Sequence, residues 1–476
     1  MELNNYSDDN LLNSPEITKS FGQALRDVSI LAFPNLLIFV LTNLNDMTSL
    51  IVISQSGRED YISVVGVSTL IIGMFGLQPL FAISTSLDTL IAQSFGKRDY
   101  KMCGEYLNKA ASLLLLSLIP SFICIFFTKN ILSLMGFSEE IATLAGIYCP
   151  RMCIFIFAST TFYMFNRFLN AQKIAYPQMV IIGTTSLFHP LWCYIFVFVL
   201  NFGCFGLNYA YTITAVGNLT ATLCYIYFSQ CSKGIFVLPS SEIFKGCTEF
   251  LKIAGASVAM SVLEWWGYYI LMLLGGYLAP LSLATNQIII NADIFFYMIS
   301  SGVGSALTAL TGNSLGRKNT KEAKLYSFVS TILTITIAAA LVLFFLFFRR
   351  TIVAIYTPNI NIQELYSKII FICLFCFFFD AFQGVLSRIF VAQARQIYAT
   401  ITNFVVYYFF LIPIGCLFVI YFRWDIYGLW ISASLAFIGI TIIFLVILYF
   451  QDWEALAEEI SMRNKIEELN SDQEMI

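Results

Sequence analysis

The sequence predicts an all-α membrane protein: twelve transmembrane helices in two parallel six-helix repeats, an N-lobe and a C-lobe, around a central cleft. Three observations carry that prediction. The 476 residues are 58% hydrophobic and only 12% charged, with a mean hydropathy of +0.78. A water-soluble fold needs about twice that charge to cover its surface. Apolar runs long enough to cross a bilayer recur twelve times between short polar breaks. The chain also repeats itself at a distance of about 220 residues.

The runs lie near 27–54, 62–92, 105–127, 141–166, 176–200, 205–228, 250–278, 281–313, 325–348, 364–391, 398–421 and 426–449. Between them stand GREDY (57–61), GKRDYK (96–101), NFGC (201–204), GRKNTK (316–321) and YTPN (356–359). Glycine, proline, asparagine and charge punctuate the chain at each. The resulting organisation is a tail over 1–25, the N-lobe over 26–230, a linker over 231–248 and the C-lobe over 249–450. An acidic tail over 451–476 opens as an amphipathic interface helix and ends disordered.

Orientation follows from the basic residues. With both termini cytoplasmic, 19 of the 26 Lys and Arg fall on the cytoplasmic side and 7 on the other. The polar start of the chain lacks a charged-then-apolar leader. Either the plasma membrane or the membrane of an acidic organelle suits such a protein. A net charge of −3 without basic patches argues against nucleic acid as a partner. One histidine in the whole chain argues against a membrane enzyme built on histidine pairs. The twelve cysteines sit mostly inside apolar runs, where they serve as small packing residues, and no metal-ligand spacing accompanies them.

The repeat is explicit. LDTLIAQSFGKRDYK from Leu87 reads like LTALTGNSLGRKNTK from Leu307, with Leu87/Leu307, Ser94/Ser314, Gly96/Gly316 and Lys101/Lys321 identical. NRFLNAQ (166–172) matches SRIFVAQ (387–393), which pairs Arg167 with Arg388 and Gln172 with Gln393. FGLNYAYTITAVG from Phe205 matches YGLWISASLAFIG from Tyr427. An even number of spans per repeat gives both copies the same orientation. Two parallel halves that rock around a site at their interface describe a transporter working by alternating access. Each half completes the cleft within one chain, so a monomer is expected.

Acids inside apolar spans mark the candidate site, since each costs about 2.5–3.5 kcal/mol to insert. Glu264, in SVLEWWGYYILML, is the deepest, and Thr42 occupies its place in the first repeat. Asp380 closes FCFFFD, with Ser159 as its repeat partner. Asp293 follows the polar Gln287 and Asn291 on the eighth span. Asp46 stands three residues after Asn43 on the first span, on one helical face. Asp88 lies nearer the cytoplasmic end and reads as structural, and His189 reads as a packed polar residue. An acid that takes a proton on one side and releases it on the other couples transport to the proton gradient. Trp265 and Tyr297 supply aromatic faces of the kind that bind flat organic cations. No cofactor is implied; the coupling ion is a proton, with sodium as the alternative.

LDTLIAQSFG (87–96), NRFLNAQ (166–172), LEWWGYYILMLLGG (263–276), SALTALTGNSLG (305–316), DAFQGVLS (380–387) and QDW (451–453) resemble the multidrug and toxic compound extrusion (MATE) family in its eukaryotic branch. The resemblance runs from about Arg26 to Trp453. It implies two six-helix bundles around a cleft and export of organic cations in exchange for protons or sodium. It places the coupling acids in the second lobe, at Glu264 of LEWW and Asp380 of DAFQGV. Bacterial relatives carry an acid in the first helix, and Asp46 lies about one turn from that place. The chain departs from the pattern at Arg388, where the family has glycine after QGVLS. That added cation favours an anionic cargo, so an anionic or glycosylated metabolite, or a lipid, is the alternative substrate.

Overall fold

The computed structural model describes residues 19–229 and 247–462, and every regular element among them is a helix. α1 (Phe21–Ser54) starts on a capping box: the Ser20 hydroxyl accepts from the Gln23 backbone N–H at 3.3 Å, and the Gln23 side chain accepts from the Ser20 N–H at 2.9 Å. The second span is α2 (Glu59–Ile71), a π-helical turn over Ile72–Leu77, and α3 (Gln78–Gly96). α4 (Tyr100–Phe126) and a short α5 (Thr128–Leu134) follow. α6 (Glu139–Arg151) and α7 (Cys153–Ala171) form one span bent by 50° just after Pro150, whose missing N–H interrupts the helix. α8 (Tyr176–Tyr194), extended by a π-helical turn, and α9 (Phe205–Ser229) complete the first lobe.

The second lobe repeats the order with α10 (Cys247–Leu274), α11 (Pro280–Gly316), α12 (Thr320–Tyr356) and α13 (Ile360–Ala392). Its fifth span runs from α14 (Gln396–Phe404) through α15 (Ile412–Cys416) to Tyr421 with two π-helical turns, and α16 (Asp425–Tyr449) is the sixth. Each expected span has its helix. Nine are long and apolar enough to cross a membrane by that measure alone, ten with the bent pair, among the described residues.

The duplication reaches the backbone. Asp99 and Asn319, at matching places, each cap the next helix by accepting an N–H, from Met102 and Glu322, at 3.0 Å. Left-handed residues recur in register: Arg98 (φ 66°) with Lys318 (62°), Lys173 (65°) with Ala394 (61°), Asn201 (60°) with Arg423 (53°).

Each lobe has its own apolar core. The first helix of each is shared: α1 packs between α8 of its own lobe and α11 of the other, and α10 between α14 and α3. The segment 453–462 is helical and packs Trp453, Leu456 and Ile460 on the C-lobe core. Arg395 holds it by donating to Gln451 Oε1 (2.9 Å) and Glu459 Oε2 (2.7 Å). The expected linker up to residue 246, the first 18 residues and the tail beyond 462 lie outside the described residues. The cysteines that are described are unbonded.

Candidate functional site

A cavity of about 380 Å³ lies between the lobes, lined by α1, α3, α7 and α9 on one side and α10, α11 and α13 on the other. It closes where α3, α7, α11 and α13 end. There the repeated motif meets its own copy. Gln93 donates to the Ala392 carbonyl at 2.8 Å, and its repeat partner Asn313 donates to the Ala171 carbonyl at 3.0 Å, Ala171 and Ala392 being partners themselves. Thr89 donates to the Val391 carbonyl at 2.6 Å. At this crossing a Cβ on Gly96 would stand 2.2 Å from the Asn313 carbonyl oxygen, and one on Gly316 2.0 Å from that of Gln93. Only glycine lets the two backbones touch. At the same end Lys19 joins the lobes, 2.7 Å from Asp27 Oδ2, 2.7 Å from the Tyr326 hydroxyl and 3.4 Å from Glu322 Oε1.

The C-lobe wall carries the acids. Glu264 on α10 and Asp380 on α13 both line the cavity. Gln383, one turn after Asp380, donates to Asp380 Oδ1 at 3.0 Å, and it lines the cavity with both carboxylates. Asp293 sits behind this wall, buried, with the Tyr268 hydroxyl donating to its Oδ2 at 3.2 Å. Its Oδ1 has no partner among the described residues. Trp265 and Tyr297 line the cavity edge to face, ring centres 5.4 Å apart.

The N-lobe wall is milder. Asp46 faces the cavity and accepts from the Tyr211 hydroxyl at 2.9 Å. His189 lies behind it as a packed polar residue, bonded to Ser49 (3.0 Å) and Thr214 (2.8 Å). At the closed end stand two arginines. Arg167 is buried and donates to Asp88 Oδ2 and Ser305 Oγ, both at 3.0 Å, and to the Tyr163 hydroxyl, while Arg388 lines the cavity opposite.

Of the residues chosen from the sequence, Glu264, Asp380, Trp265, Tyr297, Asp46 and Arg388 line one cavity, with Asp293 behind its wall. Three do not join them. Gln287 precedes Tyr297 by nearly three turns, roughly 15 Å of helix, and is exposed beyond the cavity. Asn291 is turned about 200° from Asp293 and leaves the lining. Asn43 donates back to the Phe39 carbonyl at 3.2 Å, and Thr42 and Asn45 line the cavity in its place. Gln383 went unnoticed in the sequence, although its place three residues after Asp380 puts both on one face. Tyr211 had no local signal.

Known proteins resemble this chain throughout. The MatE family model matches twice, over residues 34–195 and 256–417. Protein DETOXIFICATION 16 of Arabidopsis thaliana is 29% identical over 86% of this chain and 84% of its own length. Multidrug and toxin extrusion protein 1 of Xenopus tropicalis is 26% identical over 93% of this chain and 77% of its own. In three dimensions the fold follows that of the eukaryotic MATE transporter AtDTX14, with a TM-score of 0.87 at 22% identity, covering 93% of this chain and 99% of that one. The two family matches fall one on each lobe and together span most of the chain, so this protein belongs to the MatE family of multidrug and toxin extrusion transporters.

Proposed function

We propose that the chain is a proton-coupled exporter of organic cations that works by alternating access, with Glu264 and Asp380 as the coupling acids. The observation that carries this reading is the pair of carboxylates, Glu264 and Asp380, on the C-lobe wall, facing a cavity between two repeats. Ionised, the pair attracts a cation, and Trp265 and Tyr297 offer it aromatic faces. Protonated, the pair loses that attraction and the cation leaves. Asp293, with a free carboxylate oxygen one layer back, extends the path a proton can take into the lobe. The cycle needs the two occupants to exclude each other, and a proton on these acids removes the charge that holds the cation. Asp46 and Tyr211 give the N-lobe wall a carboxylate contact of its own. The protein acts as a monomer with both termini cytoplasmic, because the cavity is complete within one chain and the basic residues concentrate on that side.

Purified protein in liposomes, given a pH gradient and separately a sodium gradient, tests the reading with a fluorescent organic cation. Proton-driven flux that Glu264→Gln abolishes is the expected result. Flux at the wild-type rate in Glu264→Gln removes that residue from coupling, and flux driven by sodium alone replaces the coupling ion.

A further inference from the structure

Arg167 and Arg388 occupy the same place in the two repeats and line the same end of the cavity, but only one is neutralised. Arg167 has the Asp88 carboxylate at 3.0 Å, supplied by α3. At the position equivalent to Asp88, α11 carries Thr308, whose hydroxyl donates to the Gly304 carbonyl at 2.8 Å. Arg388 thus lacks the acid that its counterpart has. Among the described residues it makes no hydrogen bond and no ion pair within 4.0 Å, although its charge reaches Glu264, Asp88 and Tyr297. The side chain is nonetheless positioned. Its stem lies across Gly304, where a Cβ would stand 2.5 Å from Arg388 Cγ. Ser300, Ser301 and Ser387 place hydroxyl groups on the same stretch of wall.

A guanidinium cannot shed its charge and offers five donors. Held in a closed cavity end, it is stabilised by an anion that accepts from two of them at once. Glu264 and Asp380 are not that anion in this structure, because neither stands within 4.0 Å ion-pair distance of Arg388, and Asp380 is held at the wall by Gln383. We propose that Arg388 is the anion-binding pole of a two-ended cavity, and that the substrates taken best are organic cations that also carry a carboxylate or sulfonate. The cationic end lies against Glu264 and Asp380 and the acidic end on Arg388. This assignment rests on reading the inter-lobe cavity as the substrate site. It goes further in requiring that substrate preference depend on an acid group.

The test uses two dyes that differ by one methyl ester: rhodamine 110, a zwitterion with a free carboxylate, and rhodamine 123, the esterified cation. Binding to the detergent-solubilised full chain is read by dye anisotropy, with no gradient. Wild type should bind rhodamine 110 at least as tightly as rhodamine 123. Arg388→Gln should weaken rhodamine 110 by about tenfold or more, the cost of one charge-assisted hydrogen bond, and leave rhodamine 123 unchanged or tighter. Arg388→Lys, which keeps the charge but loses the fork, should restore part of the preference and guards against misfolding of the first variant. A wild type that prefers the ester tenfold, or that binds neither dye, overturns the proposal. So does an equal shift of both dyes in Arg388→Gln, which would make Arg388 a counter-ion for Glu264. Proton-driven flux at the wild-type rate in Glu264→Gln liposomes would strike the transport cycle and leave the dye preference standing.

Discussion

The crossing of Gly96 with Gly316 sets a steric limit on how the lobes close. Alanine at residue 96 places a Cβ 2.2 Å from the Asn313 carbonyl oxygen, and alanine at 316 places one 2.0 Å from that of Gln93. Ordinary contact needs more than 3 Å, and both obstacles are backbone, so α3 and α11 must part by about 1 Å. That displacement carries the bonds from Gln93 to Ala392 (2.8 Å) and from Asn313 to Ala171 (3.0 Å) beyond hydrogen-bond range. Leaving a buried amide unsatisfied costs roughly 1–3 kcal/mol, so even one lost bond weakens local closure about fivefold or more. Hydrogen exchange read by mass spectrometry on peptides covering 86–96 and 306–316 should show protection falling by that factor in both, for Gly96→Ala and Gly316→Ala alike. The reciprocity matters, because each glycine faces the carbonyl of the other's helix. Unchanged exchange in both segments, or a loss spread evenly over all helices, would refute the view that this crossing is a local closure.

Two further outcomes follow from buried charge and backbone strain. Asp88→Asn strands Arg167, which is 3% exposed, and should lower stability by roughly 3–5 kcal/mol, while Asp88→Asn with Arg167→Gln recovers most of it; thermal melting in detergent distinguishes the two. A single variant that melts like wild type would show the pair to be dispensable. Ala394 occupies the left-handed position just after α13, at φ 61°, where glycine is the favoured residue. Ala394→Gly should therefore stabilise by about 1 kcal/mol, raising the melting temperature by roughly one to two degrees, and a fall instead would mean that the methyl group packs usefully.

Most of the architecture is legible in the sequence because each span exceeds the length that a bilayer demands, and the repeat is spelled out in residues such as SFG and SLG. The π-helical turns were not legible, since one extra residue in a turn leaves hydrophobicity unchanged. That Glu264 and Asp380 line the cavity was legible for a physical reason: both interrupt apolar runs at a cost that membranes rarely tolerate. Their neighbours were harder. Gln287 and Asn291 are polar neighbours of Asp293 on one span, yet a helix turns and rises with every residue and carries one past the cavity and the other off its face. The partner of Asp88 lies on another helix, as does that of Asp46, and hydropathy holds no signal for such pairings.

The two repeats have kept different things. Where the lobes touch at the closed end, the copies remain equivalent: Gln93 with Asn313, Gly96 with Gly316, Ala171 with Ala392, and both members of each pair take part in the crossing. Where the lobes face the cavity, they have diverged: Thr42 against Glu264, Ser159 against Asp380, Asp88 against Thr308. A rocking motion about an axis between halves needs contacts that the axis maps onto one another, so substitutions there come at a cost to both lobes. Chemistry at the cavity has no such constraint, and in the proposed cycle the acids concentrated on one lobe give protonation a direction in which to act. The lobe whose wall carries the carboxylate pair also has Thr308 in place of an acid opposite Arg388, so the proposed coupling site and the unpaired cation lie on the same side of the difference between the repeats.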